Sequence, residues 1–418
     1  MTNSPSSTEF ESTLSLRLDA ARAPSLWRHL RRIDKISGQQ VETEGRSLRN
    51  FAGNDYLGLT SHPALIEAAT QAILDFGCGS TASRLISGSL APHHALEEAI
   101  ADFKGTQSAV SFSSGLTAAI GTLPALIGSD DVVVLDRLVH ACCVDAARLS
   151  GARLRVFRHN DLDDLERILR WTASLPRTAQ KSPKVLVVTE SLFSMDGDTA
   201  PLREIVSLKE RYGAWLMVDE AHATGVLGPN GRGRVVELGL TERVEIQMGT
   251  LGKAIGSAGG FIAGSRALSD TLINRARSFL FSTAPVPAAV AAARAGLQIA
   301  ASLEGDRLRQ RLQSHTSTVR HTAAKAGFVS ASLSQIVPLH VGDELQAVRV
   351  SDELRSLGIL APAIRHPTVA RGRARIRLTV SAAHSDADLT ALDQALKNLS
   401  SYCPPALLFT PPSEEPLD

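Results

Sequence analysis

Lys253 stands in the segment GTLGKAIGSAGG, where glycines and small side chains let backbone approach a flat ligand and no neighbouring acid neutralises the ammonium. Lysine is ordinarily a solvated surface charge. One packed among small residues can instead be desolvated, lose its proton and attack an aldehyde. The segment is not a nucleotide-binding phosphate loop, which needs glycine five residues before the Gly-Lys pair and Ser or Thr after it. Those positions hold Gln247 and Ala254.

Other polar residues follow apolar runs in the same way. AWLMVDEAHATG places Asp219 and His222 just past one such run. A strand-end aspartate can simply cap the next helix. Upstream of such a lysine it can instead keep a pyridine nitrogen protonated, so that the ring remains an electron sink. His222 could donate to a phenolic oxygen on that ring, although a lone histidine there is more often structural. SFSSGLTAAIG reads as strand, tight turn and helix. The N–H groups of Ser114, Gly115 and Leu116 would then point out at a helix N-terminus, where an anion is favoured. His140, in DRLVHACC, could stack on a ring face, with capping an equally common role for a single histidine. TESLFSMDGD puts Glu190 and Ser194 past a further run, and IQMGTLGK puts Thr250 past another.

In an open parallel sheet, ligands bind outside the carboxyl ends of the strands, so these residues need strands that end at one crevice. Apolar runs at 109–112, 132–135, 154–157, 185–189, 215–218 and 260–263 read as buried strands, separated by helix-length segments such as 116–127, 162–172 and 202–212. That alternation predicts an α/β domain with a mostly parallel sheet. An Ala- and Arg-rich helical pattern runs from 286 through 326. A smaller α+β unit follows, with strands at 336–340 and 375–380 and helices at 346–357 and 386–400. At the other end, the first fifteen residues read as polar and loose, and a helical pattern spans 16–33. The predicted division is an arm and helix at 1–55, a large domain at 56–290, a small C-terminal domain at 291–400 and a proline-rich tail at 401–418.

Composition sets the class. With 418 residues, 44% apolar and 21% charged, the chain has the make-up of a soluble globular protein of more than one domain. Its 44 basic and 43 acidic residues leave a net charge of +1, which removes the electrostatic case for nucleic acid and favours small-molecule partners. None of Cys78, Cys142, Cys143 and Cys403 forms the two-residue-spaced pair of a zinc or redox motif, so reduced thiols and no metal are expected. The N-terminus lacks the pattern of a signal peptide, and no apolar segment of about twenty residues occurs, so a cytoplasmic location without a membrane span is expected.

Taken in order, NDYLGL, GSTASRLISG, FSSG, DRLVH, TESLFSMDGD, VDEAHATG, GTLGK and RIRLTVSAAH resemble the α-oxoamine synthases, pyridoxal-phosphate enzymes with the aminotransferase type I fold. The resemblance runs from about residue 16 to 396. It implies that Lys253 holds pyridoxal 5'-phosphate as an imine and moves protons at the α-carbon, that Asp219 pairs with the ring nitrogen, His140 stacks on the ring and His222 bonds the phenolic oxygen. Ser114, Gly115, Leu116, Ser194 and Thr250 would hold the phosphate, helped from a partner subunit by Ser282 or Thr283, which implies a homodimer. Asn54, Glu190 and Arg377 match positions around the substrate carboxylate, and Arg28 and Thr368 match positions near an acyl-thioester channel, the acyl carrier being coenzyme A or a carrier protein. The stretch AIRHPTVARGRARIRLTVSAAH most resembles the member that joins L-alanine to a pimeloyl thioester with loss of carbon dioxide. Sister enzymes using glycine or serine, an aminotransferase and a non-catalytic regulator stay open. In a continuous strand Arg373, Arg375 and Arg377 would share one side. The first two are expected to be solvated, and Arg375→Lys to be nearly silent.

Overall fold

In the computed structural model, which describes residues 7–19, 22, 27–176, 183–328 and 330–399, three short strands open the α/β part. These are β1 (Lys35–Ser37), β2 (Gln40–Thr43) and β3 (Arg46–Asn50). The main sheet follows with β4 (Ser108–Phe112), β5 (Val132–Asp136), β6 (Arg153–Phe157) and β7 (Val185–Glu190). It is completed by β8 (Trp215–Asp219), β9 (Ile246–Thr250) and β10 (Gly260–Gly264). Their lateral order is β4-β10-β9-β8-β7-β5-β6, and only β10 runs against its neighbours.

Helices cover both faces, which is why runs such as VVVLD and VLVVTE are apolar without alternation. Along β5, Val133 and Leu135 join a core with Ala118, Ala119, Cys143 and Ala146 from the helices Gly115–Leu126 and Ala141–Ser150. Val132 and Val134 point the other way, toward Leu165, Ile168 and Ile205 of the helices Leu162–Ala173 and Leu202–Arg211. This is the period-two alternation of a strand.

The C-terminal part supplies β11 (Ile336–Gly342), β12 (Ile359–Leu360), β13 (Ala363–Ile364) and β14 (Ala374–Thr379). β11, β14 and β13 form one small antiparallel sheet, while β12 leaves it to pair in parallel with β3. One apolar cluster runs from Phe51 and Tyr56 through Ile255 to Leu339 and Leu378, so the entry strands, the main sheet and the C-terminal unit are packed together. The helix Pro287–Ala300 runs across the boundary expected between residues 290 and 291.

Two expectations are corrected. The pattern over 286–326 is two helices, Pro287–Ala300 and Leu303–Lys325. Ser302 separates them and caps the second, its hydroxyl accepting from the N–H groups of Glu304 and Gly305. At the N-terminus the helix is Ser7–Asp19 rather than 16–33, and residues 27–34 are not helical. The apolar pattern outweighed Pro24 in that reading, although proline removes a hydrogen bond from any helix interior. The proline-rich tail lies outside the described residues.

Candidate active site

Five parallel strands end at one place. Beyond β4 is Ser114, the N-cap of the helix Gly115–Leu126, whose hydroxyl accepts from Thr117 N–H. Beyond β5 is His140, the N-cap of the next helix. Glu190 and Asp219 are the last residues of β7 and β8 and lie side by side in register. Thr250 ends β9, and Lys253 sits in the turn that follows. The antiparallel β10 returns so closely that a Cβ on Gly260 would lie 2.5 Å from the Ser114 carbonyl oxygen and 2.6 Å from Gly115 N, so only glycine lets this strand pass beneath the helix start.

Around the lysine the polar contacts form a chain. Lys253 Nζ is 2.8 Å from His222 Nε2, and His222 Nδ1 is 2.7 Å from the Tyr56 hydroxyl. Tyr56 donates to Asn54 Oδ1 at 3.0 Å, and the Gln335 amide fixes the backbone carbonyl of His222 at 2.9 Å. These contacts are consistent in one direction: Lys253 donates to Nε2, Nδ1–H donates to Tyr56, and Tyr56 donates to Asn54. Arg377 closes the chain from β14. Its Nε donates to the Ser194 carbonyl at 2.6 Å, while its Nη groups reach Asn54 Oδ1 at 3.3 Å. One edge of the guanidinium is thus anchored, and the other is held only by longer contacts.

Burial decides the charges. It pulls Lys253 below the ordinary lysine range, and the carboxylates of Asp219 and Glu190 only partly offset it. His222 is pushed well down by burial and then by the charges of Lys253 and Arg377, so it is neutral and can accept from Lys253. Burial, with the Cys142 charge adding to it, raises Asp219 to about 6. Glu190 is pushed well above its usual value by burial and by Asp219, and it accepts the backbone N–H of His140 at 2.5 Å. The Cys142 thiol is lowered to about 5, chiefly by its hydrogen bond to Cys143 against the cost of burial, with His140 contributing.

These residues fit an aldehyde-bearing pyridine phosphate. A lysine of depressed pKa suits the aldehyde, a buried carboxylate suits a ring nitrogen, and the N-terminus at Gly115 and Leu116 with the Ser194 and Thr250 hydroxyls suits a phosphate. The structure brings together Lys253, His222, Asp219, His140, Glu190, Asn54, Arg377, Ser194, Thr250 and the Ser114 turn. Two pairs lie apart. Arg28 and Thr368 are both exposed, and they are drawn near each other because Arg365 donates to the Trp27 carbonyl at 2.7 Å while its own carbonyl accepts from Thr368 N–H. Ser282 and Thr283 occupy a turn bridged to Ser83, and among the described residues none of their hydrogen bonds reaches the lysine cluster.

The expectation for Arg375 is overturned. It is buried and paired with Asp196, because β14 packs against the loop after β7 and turns the side carrying Arg375 and Arg377 toward it. Sequence reasoning passed over Tyr56 and Gln335, and read Cys142 and Cys143 only as reduced thiols. The tyrosine within NDYLGL was the available signal, as a buried aromatic hydroxyl needs a partner.

The chain belongs to the aminotransferase class I and II family, which it matches over residues 46–396. It is similar, at 45% identity over 379 residues, to the 8-amino-7-oxononanoate synthase of Pelobacter propionicus, covering 90% of this chain and 95% of that one. Its identity to the 8-amino-7-oxononanoate synthase of Geobacter sulfurreducens is 46% over 373 residues, covering 89% and 94%. Among solved structures, a serine palmitoyltransferase from S. paucimobilis superposes with a TM-score of 0.87 at 28% identity, covering 94% of this chain and 98% of that one. The 8-amino-7-oxononanoate synthase of Francisella tularensis gives a TM-score of 0.71 at 26% identity, covering 85% and 98%.

Proposed function

We propose that the chain is a pyridoxal-phosphate-dependent 8-amino-7-oxononanoate synthase of biotin biosynthesis, joining L-alanine to a pimeloyl thioester with release of carbon dioxide and free thiol. The observation that carries this reading is Lys253, held at 2.8 Å from a neutral His222 within a chain that ends on Arg377, beside the buried Asp219. It is supported by relatives of that name at 45% and 46% identity over about nine-tenths of the chain.

When bound, the cofactor supplies a protonated ring that stabilises negative charge at the α-carbon of the amino acid. Lys253 would hold it, Asp219 would keep the ring nitrogen protonated, His140 would pack on the ring, and Ser114, Gly115, Leu116, Ser194 and Thr250 would take the phosphate. The burial that lowers the pKa of Lys253 favours the neutral amine, the form that can take the α-proton and return it. His222 fixes where Nζ points. Arg377 presents its more loosely held Nη edge to the carboxylate, with Asn54 beside it, which orients the α-proton toward the lysine. Glu190 acts from behind by holding the backbone at His140. Arg28 and Thr368 would line the approach of the acyl chain.

A second copy of the chain completes this reading. Leu85, Ile86 and Phe281 are exposed on either side of the Ser83–Thr283 bridge, as a face covered by a partner would be. That face would carry Ser282 and Thr283 to the partner's phosphate site. Among the described residues no helix is long and apolar enough to cross a membrane, and we place the enzyme in the cytoplasm.

The test is a panel of alanine, glycine and serine against pimeloyl-, acetyl-, succinyl- and palmitoyl-CoA and a pimeloyl carrier protein, following thiol and carbon dioxide. Fastest release with alanine and a pimeloyl thioester is expected. Faster release with another pair would assign the chain to a sister reaction, and amino transfer to a keto acid without thiol release would end the reading.

A further inference from the structure

We propose that, in the cofactor-free chain, Cys142, Cys143 and Asp219 chelate one thiophilic divalent cation of the zinc and cadmium type, and that this cation and the cofactor ring exclude one another. The two Sγ atoms and an Asp219 carboxylate oxygen all lie within 4.8 Å of one another, and all three side chains are buried. Each is held by a regular element. Cys142 and Cys143 are the second and third residues of the helix Ala141–Ser150, and Asp219 is the last residue of β8. Asp219 Oδ1 takes the Ala221 N–H at 2.8 Å.

Tetrahedral zinc binds thiolate sulfur at about 2.3 Å and carboxylate oxygen at about 2.0–2.2 Å. That places donors roughly 3.5–3.8 Å apart, so the three need to draw in by about 1 Å, within the reach of side-chain rotation. The His140 imidazole lies against the Cys142 thiol, with its Nδ1 accepting the Cys142 N–H at 3.2 Å. Two sulfur donors select zinc or cadmium over magnesium or calcium. Both sulfurs bind as thiolates, so any proton still on them leaves to solvent as the cation enters. The sequence hid this set because the cysteines are adjacent and their third partner comes from a different strand.

Exclusion follows from Asp219. A carboxylate engaged by the cation is not available to a ring nitrogen, and a ring seated on Asp219 closes the cation's way in. This half of the proposal rests on the assignment of Asp219 to the ring nitrogen, whereas the chelation does not.

The experiment uses the full chain carrying Cys78→Ser and Cys403→Ser, once loaded with pyridoxal phosphate and once stripped of it. Cadmium chloride is titrated into each, with magnesium chloride as the control. The stripped protein is expected to develop an ultraviolet sulfur-to-cadmium absorption that saturates at one ion per chain, at least tenfold more tightly than in the loaded protein. Cadmium should slow cofactor rebinding, and a chelator should restore it. Cys142→Ser and Cys143→Ser should each weaken the titration at least tenfold. Equal titration of loaded and stripped protein would overturn the exclusion, and an unchanged titration when both cysteines are replaced would overturn the site. If those variants fail to fold, the loaded and stripped parent chains still decide. A chain that takes up no pyridoxal phosphate before any metal is added refutes the cofactor reading and leaves the chelation result standing.

Discussion

Arg377 is held by one edge, and its value to the substrate lies in the other. Nε is committed to the Ser194 carbonyl, so the planar group can offer parallel Nη donors to a carboxylate. Lysine keeps the charge but loses the fork. Arg377→Lys should weaken alanine binding by about 1.5–3 kcal/mol, with a much smaller change for the acyl thioester, as read by titrating each into the cofactor-loaded protein. Tyr56 acts through its neighbour. Tyr56→Phe leaves His222 Nδ1 without its 2.7 Å partner and frees the imidazole to turn away from Lys253. A hydrogen bond worth about 1–1.5 kcal/mol corresponds to a fall in kcat of close to tenfold. The KM for alanine should move less, and a cofactor spectrum that titrates at a shifted pH would separate this from general loosening. Arg375 is the residue whose expected silence the structure withdraws. Arg375→Met leaves Asp196 without its partner, and thermal or denaturant unfolding should show a loss of about 1–3 kcal/mol.

The strands were legible because helices on both faces leave them as plain apolar runs, and the residues after those runs were legible as the crevice because parallel strands share a carboxyl end. What could not be read is which distant segments meet. Arg375 and Arg377 were placed on one side of a strand by alternation alone, but nothing nearby in sequence says that this side faces Ser194 and Asp196. Tyr56 and Gln335 reach His222 from the entry segment and the small sheet, and such meetings follow from packing rather than spacing. The loop after β7 carries a further clamp of this kind. His159 lies between Asp136 and Asp198, at 2.9 and 2.8 Å, with its ring edge-on to Phe193. Burial pulls its pKa down, but the two carboxylates more than offset this and raise it to about 10. The unfolded value is about 6.5, so the stabilisation is complete below that pH and is lost as pH rises through about 10. The melting temperature should therefore fall more steeply between pH 7 and 10 in the wild type than in His159→Gln, and parallel profiles would remove the clamp from the account.

At the scale of the molecule, the proposed pairing of two chains gives each site parts from both. Lys253→Ala removes one chain's lysine, and a Ser282→Ala/Thr283→Ala double variant removes the hydroxyls it would lend. In a hybrid of the two, one site keeps an intact lysine together with intact borrowed hydroxyls. Mixing the variants under conditions that exchange subunits should raise thiol release above the sum of the separate activities, and strict additivity would make each site the work of a single chain. The pairing of β3 with β12 has another outcome, one that belongs to synthesis. Arg49 meets Ile359 in that ladder, with about three hundred residues between them. At 5–20 residues per second the first strand waits roughly 15–60 s on the ribosome before its partner emerges. Asn54 and Tyr56 follow that strand directly, so a nascent chain can close the main sheet around Lys253 and still lack the strand that anchors the segment aiming it.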